Sequence, residues 1–387
     1  MRLKIGLLGY EDPAHIRSYS GTPYHILHFL RKAGHDVRVC GPYPLRYTFP
    51  LRAANRILIK TTGRHIVHER HPLLASQYGA VVDAYAQQHP DLDLFLATSF
   101  FYASRKRSKI PIFAWGDTTV AGVLNLYPYY KNISEWMIRQ SHNVEQHGLD
   151  ACAQVIFSSQ WAADVALSHY RLDAQKTHVI TYGANLKEHP DHRQIDEILR
   201  TRRVAEKTIV LVGVDWQRKG VDTAIEIVGA LCTMGVNAKL QVIGCNAPAG
   251  VMVPEYVEVL GRVAKERITG KKNYFDYLRE AHAFLLPTRA ECASVSIAEA
   301  NAYALPVVVS DVGGNASLMS NGVNGYLQRL DEPAARWAED LRSILDGSHS
   351  YEEQCLRAYQ YYEQELSWER AIARFTDLAS EFLKKGK

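Results

Sequence analysis

The sequence predicts an α/β protein made of two doubly wound, Rossmann-like domains. Three observations carry that prediction. Short apolar runs alternate with longer amphipathic stretches along all 387 residues, the pattern of a parallel sheet covered by helices rather than of sandwiches or barrels built from hairpins. The pattern runs twice, from the N-terminus and again from Thr208. Between the runs lies a polar stretch, Asn185–Arg203, rich in His, Asp and Arg, where a domain junction is expected. The length itself favours two cores of roughly 150–200 residues over one.

In the first run the strands are expected at Lys4–Leu8, Val37–Cys40, Leu94–Ala97, Ile112–Trp115, Val155–Phe157 and His178–Thr181, each flanked by Gly, Pro or polar breakers. A helix over Thr22–Ala33 follows the first strand. In the second run the strands are Thr208–Val212, Lys239–Ile243, Val257–Leu260, Phe284–Leu286 and Pro306–Ser310, with helices near Val221–Met234, Asn273–His282 and Ser294–Tyr303.

Composition excludes several classes. With 47% hydrophobic and 22% charged residues the chain is neither disordered nor fibrous. A net charge of +4 is small at this length and, without local concentration, does not point to a nucleic-acid or membrane partner; no nucleic-acid partner is expected. Cys40, Cys152, Cys232, Cys245, Cys292 and Cys355 show no paired short spacing, against a zinc knuckle, a redox pair or a disulfide framework. The apolar run Ile5–Gly9 is too short for a signal peptide, and no run reaches about 18 apolar residues. A reducing cytoplasmic compartment is expected.

Ligands of doubly wound sheets bind outside the carboxyl ends of the strands, so the segments just after strands hold the candidate site. The first is the turn Ser18-Tyr19-Ser20-Gly21 before Thr22 and Pro23. Its backbone N–H groups suit an anion or sugar hydroxyls, although a plain strand-to-helix turn reads the same way. The second is Gly213–Gly220, which brings Arg218 and Lys219 together. Two cations beside a helix N-terminus neutralise a pyrophosphate leaving group; standing alone, the same residues describe a solvated basic turn.

The third is Glu291–Ala300, which leaves a strand through Pro287, Thr288 and Arg289 and ends as a helix. If helical throughout, Glu291 and Glu299 are about 12 Å apart along the axis, wider than the roughly 5–9.5 Å of a hydrolytic carboxylate pair. The spacing suits two carboxylates gripping opposite ends of one long ligand. The helix start, Ser294, Val295 and Ser296, would rest on a phosphate between them. A nucleotide sugar has that layout, with Glu299 on the ribose and Glu291 toward the sugar. Read in isolation, both glutamates are ordinary surface charges. A fourth segment, Asp311-Val312-Gly313-Gly314-Asn315, allows close backbone approach to the same region.

These segments occur in the order found in family 4 of the retaining glycosyltransferases, which the chain resembles over nearly its whole length. The most specific features are the Glu-x7-Glu element ending at Glu299, the following Ala300, and the Pro-Val-Val-Val-Ser-Asp-Val-Gly-Gly run from Pro306. The resemblance implies the GT-B architecture, two Rossmann-like domains facing a central cleft. An acceptor-binding domain would span 1–187 and a nucleotide-sugar-binding domain 188–366. A C-terminal helix over 367–387, entered at Ser367 and Trp368, would cross back to the first domain.

It further implies retaining transfer of a hexose-type sugar, from a UDP-sugar or alternatively a GDP-sugar, to a hydroxyl of a glycan or lipid-linked acceptor. Lys219 would contact the donor pyrophosphate, Glu299 the ribose, and backbone near Arg262 and Val263 the base. Glu291 would contact the donor sugar and stabilise positive charge at its anomeric carbon. The family's Arg after the first glycine is replaced by Val214, leaving Arg218 to supply that cation. Asp117, in Trp115-Gly116-Asp117-Thr118, is the candidate for the first-domain residue near the transferred sugar. No metal and no cofactor are expected, since the nucleotide sugar is a substrate and Arg218 and Lys219 take the place of a cation. Competing readings of the same architecture are a sugar-nucleotide epimerase, a phosphorylase or a non-catalytic binder.

Positive charge concentrates in Leu45–His71, where Arg46, Arg52, Arg56, Lys60, Arg64 and Arg70 interleave with apolar residues. This segment reads either as a surface for an anionic membrane or as a solvated helical insertion. His65, His68 and His71 are assigned to its basic face rather than to a metal. The loops Tyr43–Tyr47 and Asn125–Asn132 are aromatic, suited to sugar stacking or to core packing.

Overall fold

A computed structural model describes residues 1–9, 12–16, 21–43, 45–127, 130–186, 189–265, 269, 271–346 and 351–385. The chain divides into two compact units, Met1–Asn185 together with Trp368–Lys387, and Leu186–Ser367.

The first unit holds a six-stranded parallel sheet in the order β2-β1-β3-β4-β5-β6. Its strands are β1 (Lys4–Leu8), β2 (Asp36–Cys40), β3 (Leu94–Ala97), β4 (Ile112–Gly116), β5 (Gln154–Phe157) and β6 (Thr177–Val179). Register places Ile5 opposite both Val37 and Leu94, and Trp115 opposite Ile156. Because successive side chains point to opposite faces, Phe113 and Trp115 enter one core while Ile112 and Ala114 enter the other. Both faces are covered, which is why these strands read as unbroken apolar runs.

One of those cores is closed by the helix Trp368–Lys385, which contributes Trp368, Ile372 and Phe375. Trp115 stacks on Phe375 with ring centroids 6.0 Å apart, and Trp368 donates from Nε1 to Asn185 Oδ1 at 3.3 Å. A Cβ at residue 183 would lie 2.4 Å from the Trp368 backbone nitrogen, so only Gly183 lets this helix seat.

The second unit holds another six-stranded parallel sheet, in the order β12-β11-β10-β7-β8-β9. Its strands are β7 (Lys207–Val212), β8 (Ala238–Ile243), β9 (Val257–Gly261), β10 (Ala283–Leu286), β11 (Val307–Ser310) and β12 (Gly325–Gln328). The edge strand β12 was not among the expected elements; Gly325-Tyr326-Leu327-Gln328 is half-exposed and carries no apolar run.

The polar stretch expected as a junction is largely a helix of this unit. His192–Thr201 is capped by Asp191 in a capping box and buries Ile195, Ile198 and Leu199. Three apolar residues at i, i+3 and i+4 are enough to fix one face in an otherwise polar sequence. Just beyond it, Arg202 is 1% exposed and donates to the carbonyls of Leu278, Arg279, Tyr303 and Ala304. A guanidinium can be buried so deeply because its planar array of donors finds four acceptors.

Candidate functional site

The loops at the carboxyl ends of β7 and β10 assemble a group of buried charges in the second unit. The turn after β7 runs from Gly213 to Gly220, whose φ of 68° starts the helix Val221–Thr233. A Cβ at residue 213 would fall 2.2 Å from Lys219 Cγ, so the glycine leaves room for the lysine stem to fold back under the strand end. Lys219 Nζ donates to Glu291 Oε1 at 2.5 Å, and Arg218 Nη1 donates to the same oxygen at 2.6 Å. Glu291 is 7% exposed and Lys219 8%.

The two loops are tied together by backbone as well. Arg218 O accepts from Arg289 N–H at 2.7 Å and from Thr288 Oγ1 at 3.0 Å. Arg218 N–H in turn donates to Asp215 Oδ1 at 2.8 Å. From outside, Arg289 forks onto Asp222, with both contacts at 2.8 Å, and reaches Gln217 O. The cations therefore sit on a turn braced from both sides.

Burial alone would raise the Glu291 carboxyl, but Lys219 and Arg218 outweigh it and hold the group below its ordinary value of 4.5. Two cations against one carboxylate leave one positive charge in excess, and buried charge is costly unless compensated. Such a centre favours an anion. Val214, where the resembling family carries Arg, is 72% exposed.

Glu299 lies on the seven-residue helix Val295–Asn301 and is 4% exposed. It has its own partners: Lys265 Nζ donates to Oε1 at 2.6 Å and Tyr274 Oη to Oε2 at 2.7 Å, with Lys265 5.0 Å above the Tyr274 ring. The two glutamates thus belong to separate charge groups. Arg262, exposed, and Val263, half-buried, follow the end of β9 on the approach to Lys265.

The helix start differs from a row of free donors. Ser294 N–H donates to Asn315 Oδ1 at 3.3 Å, and Asn315 is itself pinned to Ser310 O at 3.1 Å. The Ser294 hydroxyl is buried without a hydrogen-bond partner among the described residues, while Val295 and Ser296 are half-buried. Gly313, at φ 55°, leads into Gly314, whose N–H donates to Glu291 O at 3.4 Å.

In the first unit Gly21 takes φ 87° and caps the helix Thr22–Lys32. Ser18, Tyr19 and Ser20 of that turn lie outside the described residues, as do residues 44, 128 and 129 of the two aromatic loops. Asp117, half-buried, follows β4 and accepts from Thr118 N–H at 2.8 Å, whereas its neighbour Trp115 is fully buried in the core. Tyr43 is also core, packed against Tyr78 and Tyr102.

The basic segment contains the helix Thr48–Thr62, of which only Leu51 is buried. Among the described residues the histidines there form no group that could hold a metal ion. His71 accepts from Leu73 N–H at a helix start, and His68 lies 3.5 Å from Arg52 Nε. Among the described residues no helix is long and apolar enough to cross a membrane.

Known proteins bear out the resemblance. Residues 22–188 match Glycosyltransferase Family 4 and residues 206–347 match Glycosyl transferases group 1. The D-inositol 3-phosphate glycosyltransferase of Paenarthrobacter aurescens (strain TC1) is 24% identical over 242 residues, which cover 61% of this chain and 59% of that relative. The lipopolysaccharide glucosyltransferase WaaG of Escherichia coli (strain K12) is 25% identical over 188 residues, 46% of this chain and 48% of that one. The alignments thus span about half to three-fifths of these curated relatives. Over 99% of the chain the fold is that of the sucrose-phosphate synthase of Thermosynechococcus elongatus, with a TM-score of 0.64, 18% identity and all of that chain covered. Anabaena HepE, solved with UDP-glucose, gives a TM-score of 0.59 at 16% identity, over 99% of this chain and 100% of that one.

Proposed function

We propose that this chain, which belongs to glycosyltransferase family 4, moves a hexose-type sugar from a nucleotide sugar to a hydroxyl of a glycan or lipid-linked acceptor with retention at the anomeric carbon. The observation that carries the reading is the convergence of Arg218 and Lys219 on Glu291 at the ends of β7 and β10. A diphosphate entering there takes over the two cations, which stabilise it as it leaves. Glu291, released from them in part, faces the sugar and stabilises positive charge developing at its anomeric carbon.

In this reaction the bond from the anomeric carbon to the departing phosphate oxygen breaks. The acceptor oxygen bonds to that carbon on the same face, and the hydroxyl proton passes to the departing phosphate. No separate base is needed. Glu299, with Tyr274 fixing one oxygen, receives the ribose hydroxyls, and backbone at Arg262 and Val263 the base. Ser294, Val295 and Ser296 line the phosphates, and Asp117 and Gly21 serve the first-domain side. The charge that a metal supplies in other transferases comes from Arg218 and Lys219.

A UDP-sugar is the first choice of donor and a GDP-sugar the second. The relatives named for an inositol phosphate and for lipopolysaccharide make a polar, charged acceptor reasonable. The exposed basic helix Thr48–Thr62 supports work at the inner face of a membrane. The test is a thermal-shift screen of UDP-, GDP-, ADP- and dTDP-sugars, followed by turnover of the stabilising donor. One nucleotide class should raise the melting temperature, and Glu291→Gln should lower transfer by about 10²–10³-fold while donor binding persists. Unchanged hydrolysis and transfer in Glu291→Gln would rule out the catalytic assignment.

A further inference from the structure

The carboxylate of Glu299 has both of its oxygens engaged within the protein. Lys265 Nζ donates to Oε1 at 2.6 Å and Tyr274 Oη donates to Oε2 at 2.7 Å. The two partners differ in how readily they leave.

Tyr274 is buried and fixed. It opens the helix Tyr274–Glu280, whose start is set by a capping box on Asn273, and its own N–H donates to Ala264 O at 2.9 Å. Its ring meets Phe275 edge-on with centroids 5.2 Å apart, and Phe275 in turn stacks on Tyr303 at 5.9 Å. Burial first, and the Glu299 charge second, hold the phenol well above its ordinary value of 10.0, so it stays protonated and donates. A buried hydroxyl that lost this acceptor would be left unmet, and that cost keeps Tyr274 on Oε2.

Lys265 is the opposite case. Its side chain is 48% exposed and reaches Oε1 over the Tyr274 ring, 5.0 Å from the ring centre. A lysine amine is a compact, strongly hydrated charge on a flexible stem, and a pair this exposed contributes little. It returns to water easily. Because the lysine is half in solvent, the side of the carboxylate that it covers is the side open to a ligand.

A carboxylate with both oxygens available can take the 2′- and 3′-hydroxyls of a ribose together, one on each oxygen. We propose that Tyr274 withholds Oε2 and so confines Glu299 to a single ribose hydroxyl, taken at Oε1 in exchange for Lys265. The inference rests on the reading of Glu299 as the ribose residue and adds which oxygen serves and which partner it gives up. Tyr274 is then a positioning residue that makes the site distinguish the 2′ from the 3′ position. Lys265 is an internal competitor of the donor.

The experiment measures dissociation constants of UDP, 2′-deoxy-UDP and 3′-deoxy-UDP for the full chain by calorimetry, or of the GDP series where the donor screen selects guanine. The wild type should lose about tenfold or more with one deoxy analogue and less than about threefold with the other, since one hydrogen bond to a charged group is at stake. Tyr274→Phe keeps the ring and frees Oε2, so the analogue that the wild type tolerates should now also bind several-fold more weakly than UDP. Lys265→Met should tighten UDP by about two- to fivefold, the range expected when an exposed ion pair no longer has to be broken. Comparable losses with both analogues in the wild type overturn the proposal. So does tolerance of one analogue that survives Tyr274→Phe, or UDP binding that is unchanged or weakened in Lys265→Met.

Should Tyr274→Phe fail to fold, the wild-type comparison and the surface substitution Lys265→Met decide the matter without it. Failure of the underlying reading looks different. If UDP binds and neither analogue differs from it, Glu299 does not hold the ribose; if no nucleotide binds, the transferase reading falls as well. Equal losses with both analogues leave the ribose role standing and remove only the part given to Tyr274.

Discussion

His282 shows how one buried side chain sets an acid limit for the second unit. The ring is 1% exposed; Nδ1 accepts from Thr208 N–H at 3.0 Å, which assigns the proton to Nε2, facing Arg202 O at 2.9 Å. Burial, outweighing the hydrogen bond to Arg202, pushes the imidazole from 6.5 down to about 4. Between those values the unfolded chain takes up a proton that the folded chain refuses, so stability is full above 6.5 and declines as pH falls toward about 4. The full loss is on the order of 3 kcal/mol. Glu291 acts in a lower window: its folded-state value is depressed, so its contribution is present above 4.5 and fades only as pH falls further. Urea unfolding at pH 7 and pH 5 should show the wild type clearly weaker at pH 5, with a much smaller difference in His282→Gln. Equal pH slopes in both proteins would remove His282 from the account.

Among the described elements, the helix Thr48–Thr62 exposes an apolar surface to water. Phe49 is 81% exposed and Ile57 64%, on the same short helix as Arg52, Arg56 and Lys60. Apolar side chains among cations suit the headgroup region of an anionic bilayer, where each basic residue contributes about 1 kcal/mol. Replacing Arg52, Arg56 and Lys60 by Gln should therefore weaken co-sedimentation with anionic vesicles by roughly a hundredfold. Equal pelleting of both proteins, or of neither, would dismiss a membrane role. This helix was visible in the sequence as a basic amphipathic stretch, and the core strands were visible because burial on both faces makes them unbroken apolar runs. Strand β12 was not, since an edge strand needs no such run. Nor were Lys265 and Tyr274 as partners of Glu299, because 34 and 25 residues separate them and only the fold brings them together. Arg218 and Lys219 were legible as a pair, but their meeting on one Glu291 oxygen depends on Gly213 and on the brace from Arg289.

At the scale of the molecule the salient fact is that the first unit is discontinuous in sequence. Trp368, Ile372 and Phe375 complete a core begun by Ile5, Leu7 and Trp115. Removing large buried residues costs about 2–5 kcal/mol each, against a total of about 5–15 kcal/mol for a typical domain. A chain ending at Ser367 should consequently keep a folded second unit and lose the first. Limited proteolysis would release a fragment near 186–367, with residues 1–185 degraded; a protected N-terminal fragment would contradict this. The same discontinuity dictates an order of events during translation. Ribosomes deliver β1 to β6 long before the C-terminal helix, so the nascent first unit waits with one sheet face covered only in part, by the helix Thr22–Lys32, while the second unit is synthesised. Over that interval its aromatic layer is a natural station for a holdase chaperone, and pauses in the codons after Ser367 would lengthen the exposure.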